Sequence, residues 1–135
     1  SYLEAEMELT KSELEVMNVI WNAGRPLSRN EIIGLSAHKT WKDSSIHILL
    51  NGLLTKGAIK EAGFVRSGKV WGRLYASNIS CEDYYAANVF AGSSKEVLPL
   101  LFSALIKSDE VNLEVISDLE DMLEKRRQEL KNNQV

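Results

Sequence analysis

The side chains that most often carry catalysis or bind metal ions are few and scattered in this sequence. It contains one cysteine, Cys81, and two histidines, His38 and His47. A single thiol cannot form an internal disulfide, and these three residues lack the spacing of a zinc site. No glycine-rich phosphate loop and no nucleophile with a nearby base is visible. The sequence therefore predicts no metal, no cofactor and no enzyme activity, and it favours a protein that binds a partner.

A second group of residues has the types and spacing that suit contact with double-stranded DNA. Around residues 44 to 54 the apolar residues recur at helical spacing, so one face of a helix would be buried; these inward residues are Ile46, Leu49, Leu50 and Leu53. The outward face then carries Ser44, Ser45, His47, Ile48, Asn51 and Gly52. An asparagine can bond adenine through two hydrogen bonds, serines reach bases or phosphates, and an isoleucine can contact a thymine methyl group. This face is a candidate for contact with base edges.

Basic residues flank the same helix and a following hairpin. They are Lys39, Lys42, Lys56, Arg66 and Lys69. Any one of them could be an ordinary solvated surface residue, but their common location suits the phosphate backbone of DNA. The middle of the helix has no arginine or lysine, although arginine to guanine is the commonest specific contact. We therefore expect the affinity to come largely from the flanking cations.

Three helices precede the hairpin and would position these residues. Thr10 with Glu13 and Ser28 with Glu31 form capping boxes that start the first two helices. Asp43 or Ser44 is expected to cap the third, which Gly57 ends. Three short helices with short connections are typical of a helix-turn-helix.

The period of the apolar residues changes from about 3.6 to about 2 after Gly57, which predicts a β-hairpin over residues 58 to 76. With Ser67-Gly68 as the two-residue turn, Val65 would lie opposite Val70 and Phe64 opposite Trp71. The predicted fold is therefore mainly α: a winged helix-turn-helix, with three helices and a β-hairpin wing, followed by a helical C-terminal region.

Three further helices are expected to start near Ser80, Ser93 and Asn112. The last two carry more apolar positions than they can bury against each other, and a second copy of the chain is the simplest cover, although folding back onto the N-terminal core is the alternative. The expected dimerisation residues are Leu101, Phe102, Leu105, Leu113, Ile116, Leu119 and Leu123. The predicted division is an N-terminal tail over residues 1–8, a DNA-binding domain over 9–78 and a dimerisation domain over 79–135.

The formal net charge of −3 is unevenly distributed along the 135 residues. Residues 1–80 carry +2 and residues 81–135 carry −5. A basic N-terminal part and an acidic C-terminal part suit a DNA-binding domain joined to a domain with another role. No apolar run approaches the roughly 20 residues of a membrane span, and the first 25 residues lack the order of a secretory signal. We therefore expect a cytoplasmic protein without membrane contact.

Several stretches together form a recognisable pattern: residues 14–21 (LEVMNVIW), 30–33 (NEII), Trp41, 45–53 (SIHILLNGL) and 56–59 (KGAI). They resemble the penicillinase repressor family, whose members include BlaI, MecI and the copper-responsive CopY. The resemblance covers nearly the whole chain. It implies a homodimeric repressor that binds a palindromic operator through its N-terminal part and dimerises through its C-terminal part.

This sequence departs from the family pattern at the residues that, in the family, determine which operator is bound and which signal relieves repression. Family members often carry Arg, Thr and Lys on the recognition helix where this chain has His47, Ile48, Asn51 and Gly52. Members that respond to β-lactams are cleaved at an Asn-Phe bond, and the matching pair here is Leu101-Phe102, so a regulatory protease as partner is left open. The Cys-x-Cys motifs of the copper-responsive members are absent. The main alternative function is a winged-helix module that contacts proteins without sequence-specific DNA binding.

Overall fold

The computed structural model describes residues 7–90 and 95–134. The helices of these residues are α1 (Lys11–Ala23), α2 (Arg29–Leu35), α3 (Ile46–Thr55), α4 (Cys81–Phe90), α5 (Val97–Ile106) and α6 (Leu113–Asn132), and a 3-10 turn (Asp43–Ser45) precedes α3. The strands are β1 (Leu27–Ser28), β2 (Ile59–Ser67) and β3 (Val70–Ser77). The chain divides into two compact units after residue 92.

The first two helices start where the capping boxes predict. The Thr10 hydroxyl accepts from the Glu13 amide at 3.2 Å, and the Glu13 carboxylate accepts from the Thr10 amide at 2.9 Å. Ser28 and Glu31 make the same reciprocal pair at the start of α2. The predicted side-chain cap of α3 is wrong, because the 3-10 turn replaces it and no side chain caps either segment. The turn satisfies backbone groups locally, since the Ser45 amide donates to the Lys42 carbonyl at 2.8 Å.

The three strands form an antiparallel sheet in the order β1-β3-β2. The predicted hairpin is present, but its predicted register is wrong: Arg66 lies opposite Trp71, Phe64 opposite Arg73, and Val65 opposite Gly72. The two-residue turn is Gly68-Lys69, with a φ of 65° at Gly68. A positive φ at the first turn residue suits the right-handed twist of a hairpin and favours glycine there, so Gly68 belongs at the first position of the turn.

A β-bulge interrupts the hairpin between Glu61 and Phe64. Two residues of β2, Ala62 and Gly63, stand opposite Leu74, and Gly63 has a φ of 120°. A bulge bends its strand and increases the local twist. The bulge therefore separates the inner part of the hairpin from its tip.

The core of the first unit lies where the first three helices meet the sheet. Its fully buried large side chains include Met17 of α1, Leu27 of β1, Ile32 of α2, Leu50 and Leu53 of α3, and Ile59 of β2. The predicted inward face of α3 is confirmed, since Ile46, Leu49, Leu50 and Leu53 are all at most 9 % exposed. Burial of this face leaves the opposite face of α3 in water.

Helix α4 packs against the first helix. The ring of Tyr84 lies 5.7 Å from the ring of Trp21, and the Trp21 indole donates to the Ile79 carbonyl at 2.8 Å. The boundary in the structure therefore follows α4, whereas the predicted boundary at residues 78 and 79 preceded it. Residues 1–6 of the predicted tail and the predicted helix start at Ser93 lie outside the described residues, and Met7 packs on the core.

The second unit contains α5 and α6. Asn112 caps α6, because its side chain accepts from the Val115 amide at 2.9 Å, in agreement with the predicted start. Neither helix has a fully buried residue. Within residues 7–90 and 95–134, no helix is both long enough and apolar enough to cross a membrane.

Candidate nucleic-acid interface

The predicted outward face of α3 and of the turn before it is largely exposed, but Gly52 does not belong to it, because this residue is half-buried against the Glu13 carboxylate. Ser44, His47 and Asn51 are exposed, Ser45 is half-buried, and Ile48 is 75 % exposed. An isoleucine so accessible on a helix whose opposite face is core has no packing role in the described unit. This face offers one apolar and several hydrogen-bonding side chains to a partner.

The loop before α3 fixes the start of that helix against α1. Trp41 is 7 % exposed within the core, and the Thr40 hydroxyl donates to the Glu15 carboxylate at 2.8 Å. Lys39 pairs with Asp43 at 2.6 Å, and its ammonium lies 5.3 Å from the centre of the Trp41 ring. These contacts set the direction in which the exposed face of α3 points.

An ion pair with a buried carboxylate fixes the other end of α3 to the same helix. The Lys56 ammonium, which follows α3, lies 2.5 Å from the Glu13 carboxylate, and Glu13 is 5 % exposed. Burial by itself would raise the pKa of Glu13, but hydrogen bonds from Lys56 and from the Thr10 backbone together outweigh it, so the pKa lies below its ordinary value. Glu13 therefore carries a negative charge inside the unit, and Lys56 balances it.

The five predicted cations thus have different surroundings. Lys39 and Lys56 pair with Asp43 and Glu13, which leaves less of their charge for a partner. In the described part of the chain, no carboxylate pairs with Lys42, Arg66 or Lys69. These three remain candidates for phosphate contact.

Sequence reasoning missed one cation beside α3. Arg29, the first residue of α2, places its Nη1 atom 2.7 Å from Nε2 of His47. Its position in another helix hid it, because nothing in the spacing of residues 29 and 47 shows that the two side chains meet. The exposed face of α3 therefore does have a guanidinium beside it.

The wing, which we define as the hairpin from residue 64 to residue 73, combines cations with exposed apolar side chains. The Arg66 guanidinium lies 5.9 Å from the centre of the Trp71 ring, and its Nε donates to the Gly68 carbonyl at 2.9 Å. Phe64 and Trp71 are each 62 % exposed, and Val70 is 69 % exposed. Arg73 pairs with Glu61 at 2.9 Å. The tip beyond the bulge thus has little apolar cover within its own unit.

The predicted dimerisation residues lie on the two helices of the second unit. Leu101, Ile116 and Leu119 are half-buried, and Phe102, Leu105, Leu113 and Leu123 are exposed. The Leu101–Phe102 bond lies inside α5 rather than in a loop. Among the residues that the structure describes, no group of three His, Cys, Asp or Glu side chains could hold a metal ion.

The sequence model of the penicillinase repressor matches residues 9–125. The chain belongs to the penicillinase repressor family. The resemblance predicted from the sequence is confirmed, and so is the prediction of a DNA-binding transcriptional repressor at the level of the family.

The chain is also similar to individual proteins. A penicillinase repressor of Bacillus licheniformis is 30 % identical over 127 residues, which cover 89 % of this chain and 92 % of that protein. An uncharacterised 16.5 kDa protein of Latilactobacillus sakei is 42 % identical over 53 residues, so the chain spans about a third of its length (36 %). The solution structure of the monomeric form of B. licheniformis BlaI, in complex with the blaP half-operator, is 36 % identical, with a TM-score of 0.41, over 57 % of this chain and 88 % of that one.

Proposed function

We propose that this member of the penicillinase repressor family acts as a homodimer that binds a palindromic operator in the cytoplasm. Each protomer would lay α3 in the major groove and its wing along the neighbouring backbone. The observation that carries the proposal is the polar, exposed face of α3 opposite a fully packed apolar face. A helix fixed at both ends with such a face suits contact with base edges.

Base contact is assigned to the exposed residues of this face and phosphate contact to the unpaired cations. Asn51 suits adenine, Ile48 suits a thymine methyl group, and Ser44 and Ser45 suit bases or phosphates. Lys42 precedes α3, and Arg66 and Lys69 lie at the end of the wing, where they can reach phosphates on either side. Lys39 and Lys56 hold α3 in place through Asp43 and Glu13.

Dimerisation is assigned to the second unit because its helices leave large apolar side chains in water. On α6 the apolar residues Ile116, Leu123 and Leu130 recur every seven residues, a spacing typical of helices that pack against another helix. Leu113 and Leu123 are 86 % and 66 % exposed in the single chain. A second copy would cover them and would place two α3 helices about one turn of DNA apart.

A binding assay at two salt concentrations tests the DNA contact. Labelled DNA from upstream of the protein's own gene is titrated with the full chain, with scrambled DNA as competitor. We expect a preference for the upstream DNA and an affinity that falls steeply with salt. Lys69→Ala should weaken binding to all sequences alike and reduce the salt slope by about 1, whereas Asn51→Ala should change the preferred sequence.

Sedimentation analysis tests the dimer. Leu123→Glu places a charge on the exposed stripe of α6 and leaves the residues of α3 unchanged, so we expect a monomer that binds a full operator more weakly. Lys125→Glu is the matched control, because Lys125 is an exposed polar residue of the same helix. A wild-type chain that is monomeric at micromolar concentration would refute the homodimer.

The apolar wing is the one feature that favours the alternative, a module that contacts another protein. Phe64, Val70 and Trp71 are large, exposed apolar side chains, and contact with phosphates does not explain them. In that case the chain would show no sequence preference at low salt, and substitutions on α3 would leave any residual DNA binding unchanged.

A further inference from the structure

Arg29 and His47 join the start of α2 to the first turn of α3 on the exposed side of the first unit. The two nitrogen atoms, Nη1 of Arg29 and Nε2 of His47, lie 2.7 Å apart, and both residues are exposed. This is a hydrogen bond between the two helices of the helix-turn-helix, at the surface that faces outward.

The chemistry of the two groups fixes the direction of this bond. A guanidinium is always protonated and can only donate, so Nε2 of His47 must accept and its proton must sit on Nδ1. In the described part of the chain no carboxylate pairs with Arg29, and the bond to His47 is the one hydrogen bond found for its guanidinium. Its charge is therefore available to an acceptor outside the protein.

The backbone around Arg29 is held firmly. Arg29 follows the capping residue Ser28, whose box with Glu31 fixes the first turn of α2, and Arg25 pairs with the same Glu31 at 2.7 Å. His47 lies one helical turn from Asn51, on the same exposed face of α3. The guanidinium is thus directed toward the residues assigned to base contact.

We propose that Arg29 is a specificity-determining residue that contacts guanine in the major groove, and that His47 is a positioning residue that aims it. This inference rests on the proposed function. Arg29 would supply the basic side chain that α3 lacks, since that helix has no arginine or lysine before Lys56. Arginine contacts O6 and N7 of guanine through two hydrogen bonds, and its rigid planar donor group suits this pair better than a lysine ammonium does.

Selection from a random duplex library tests the assignment. The full chain is incubated with the library at two salt concentrations, and bound DNA is sequenced. We expect wild type to enrich a guanine at one position of each half-site, and Arg29→Ala to lose that preference by about tenfold while the rest of the motif persists. Arg29→Lys keeps the charge and should lose the preference as well. Lys42→Ala is the matched control, which should weaken all sequences alike.

The role of His47 is tested in the same selection. His47→Ala should reduce the guanine preference although Arg29 is intact, and His47→Gln should restore it, because a glutamine oxygen can accept from the guanidinium. In the double variant Arg29→Ala/His47→Ala, the loss of preference should equal that of Arg29→Ala alone. A merely structural role of His47 would instead lower stability and weaken all sequences.

The outcomes separate this inference from the proposed function. If wild type enriches no motif, the sequence-specific function fails. If wild type enriches a motif but Arg29→Ala weakens all sequences uniformly and lowers the salt slope, Arg29 contacts a phosphate and the inference is overturned. The inference is also overturned if Arg29→Ala leaves both motif and affinity unchanged.

Discussion

Replacing Gly52 by alanine tests whether the buried carboxylate of Glu13 sets the position of α3. In an ordinary helix interior this change stabilises by about 1 kcal/mol, because alanine is the better helix former. Here a Cβ on residue 52 would lie 2.6 Å from Oε2 of Glu13. Real Cβ atoms do not approach an oxygen so closely, so either the carboxylate or the helix must move.

The cost of moving the carboxylate follows from its partners. Displacing the Glu13 carboxylate breaks the bond that it accepts from the Thr10 amide, worth about 1 kcal/mol, and weakens a charge-assisted bond from Lys56 worth about 2 kcal/mol. Subtracting the gain in helix propensity leaves a net destabilisation of about 2 kcal/mol for Gly52→Ala. For a unit of this size, that corresponds to a fall in melting temperature of roughly 10 °C.

A double-mutant cycle isolates the contact. Urea unfolding followed by circular dichroism is measured for wild type, Gly52→Ala, Glu13→Ala and the double variant, all at one protein concentration because dimerisation would otherwise shift the midpoints. Without the carboxylate, Gly52→Ala should stabilise by up to about 1 kcal/mol, so the sign of its effect should reverse. The reasoning is refuted if Gly52→Ala stabilises the chain that still carries Glu13.

Three further outcomes follow from the same structure. Because the folded-state pKa of Glu13 is lowered, its contribution to stability is present above the ordinary pKa of a glutamate, about 4.3, and is lost as pH falls through the lower folded value. The urea midpoints of wild type and Glu13→Gln should therefore differ at pH 7 and approach each other as the pH is lowered from 5 to 3. Trp71 is far more exposed than Trp41, so iodide should quench mainly the fluorescence of Trp71, and operator DNA should protect this residue from quenching. Unchanged quenching in Trp71→Phe, or no protection by DNA, would contradict a wing that lies along the DNA backbone. Gly68→Ala forces a side chain into a φ of 65° and should cost about 1 kcal/mol in urea unfolding, whereas an equal or higher midpoint would argue against this turn.

The parts of the fold that depend on local signals could be predicted from the sequence. Thr10 and Ser28 each stand three residues before a glutamate, and both capping boxes form because the pattern and the bond involve the same four residues. The inward face of α3 follows equally from its spacing. The stretches that resemble the penicillinase repressor family lie in the same helices, because those stretches consist mainly of core and capping residues.

The register of the hairpin could not be predicted from the alternation of apolar and polar residues. Both Ser67-Gly68 and Gly68-Lys69 place a glycine in a two-residue turn, and choosing between them shifts each cross-strand pair by two residues. The bulge at Ala62 and Gly63 adds a residue to β2. Pairing the two strands residue by residue from the end away from the turn therefore also gives the wrong register. The contacts of Glu13 with Lys56 and of Arg29 with His47 join different helices, so neither follows from any local pattern.

The surroundings of the predicted cations could not be derived from the sequence for a related reason. A lysine beside a recognition helix looks the same in the sequence whether it meets a phosphate or an internal acid. The structure separates the two, because Lys56 balances a buried carboxylate while Lys42 has no carboxylate partner among the described residues.

The residues that hold α3 in position differ from those proposed to contact DNA. Its position depends on Trp41, Glu13 and Lys56, which lie at its two ends and against α1. The outward side chains Ile48 and Asn51 have no part in those contacts and are exposed. Surface substitutions away from caps and buried partners usually change stability by about 0.5 kcal/mol or less. Under the proposed function, changes at Ile48 or Asn51 should therefore alter the preferred operator while the first unit remains folded.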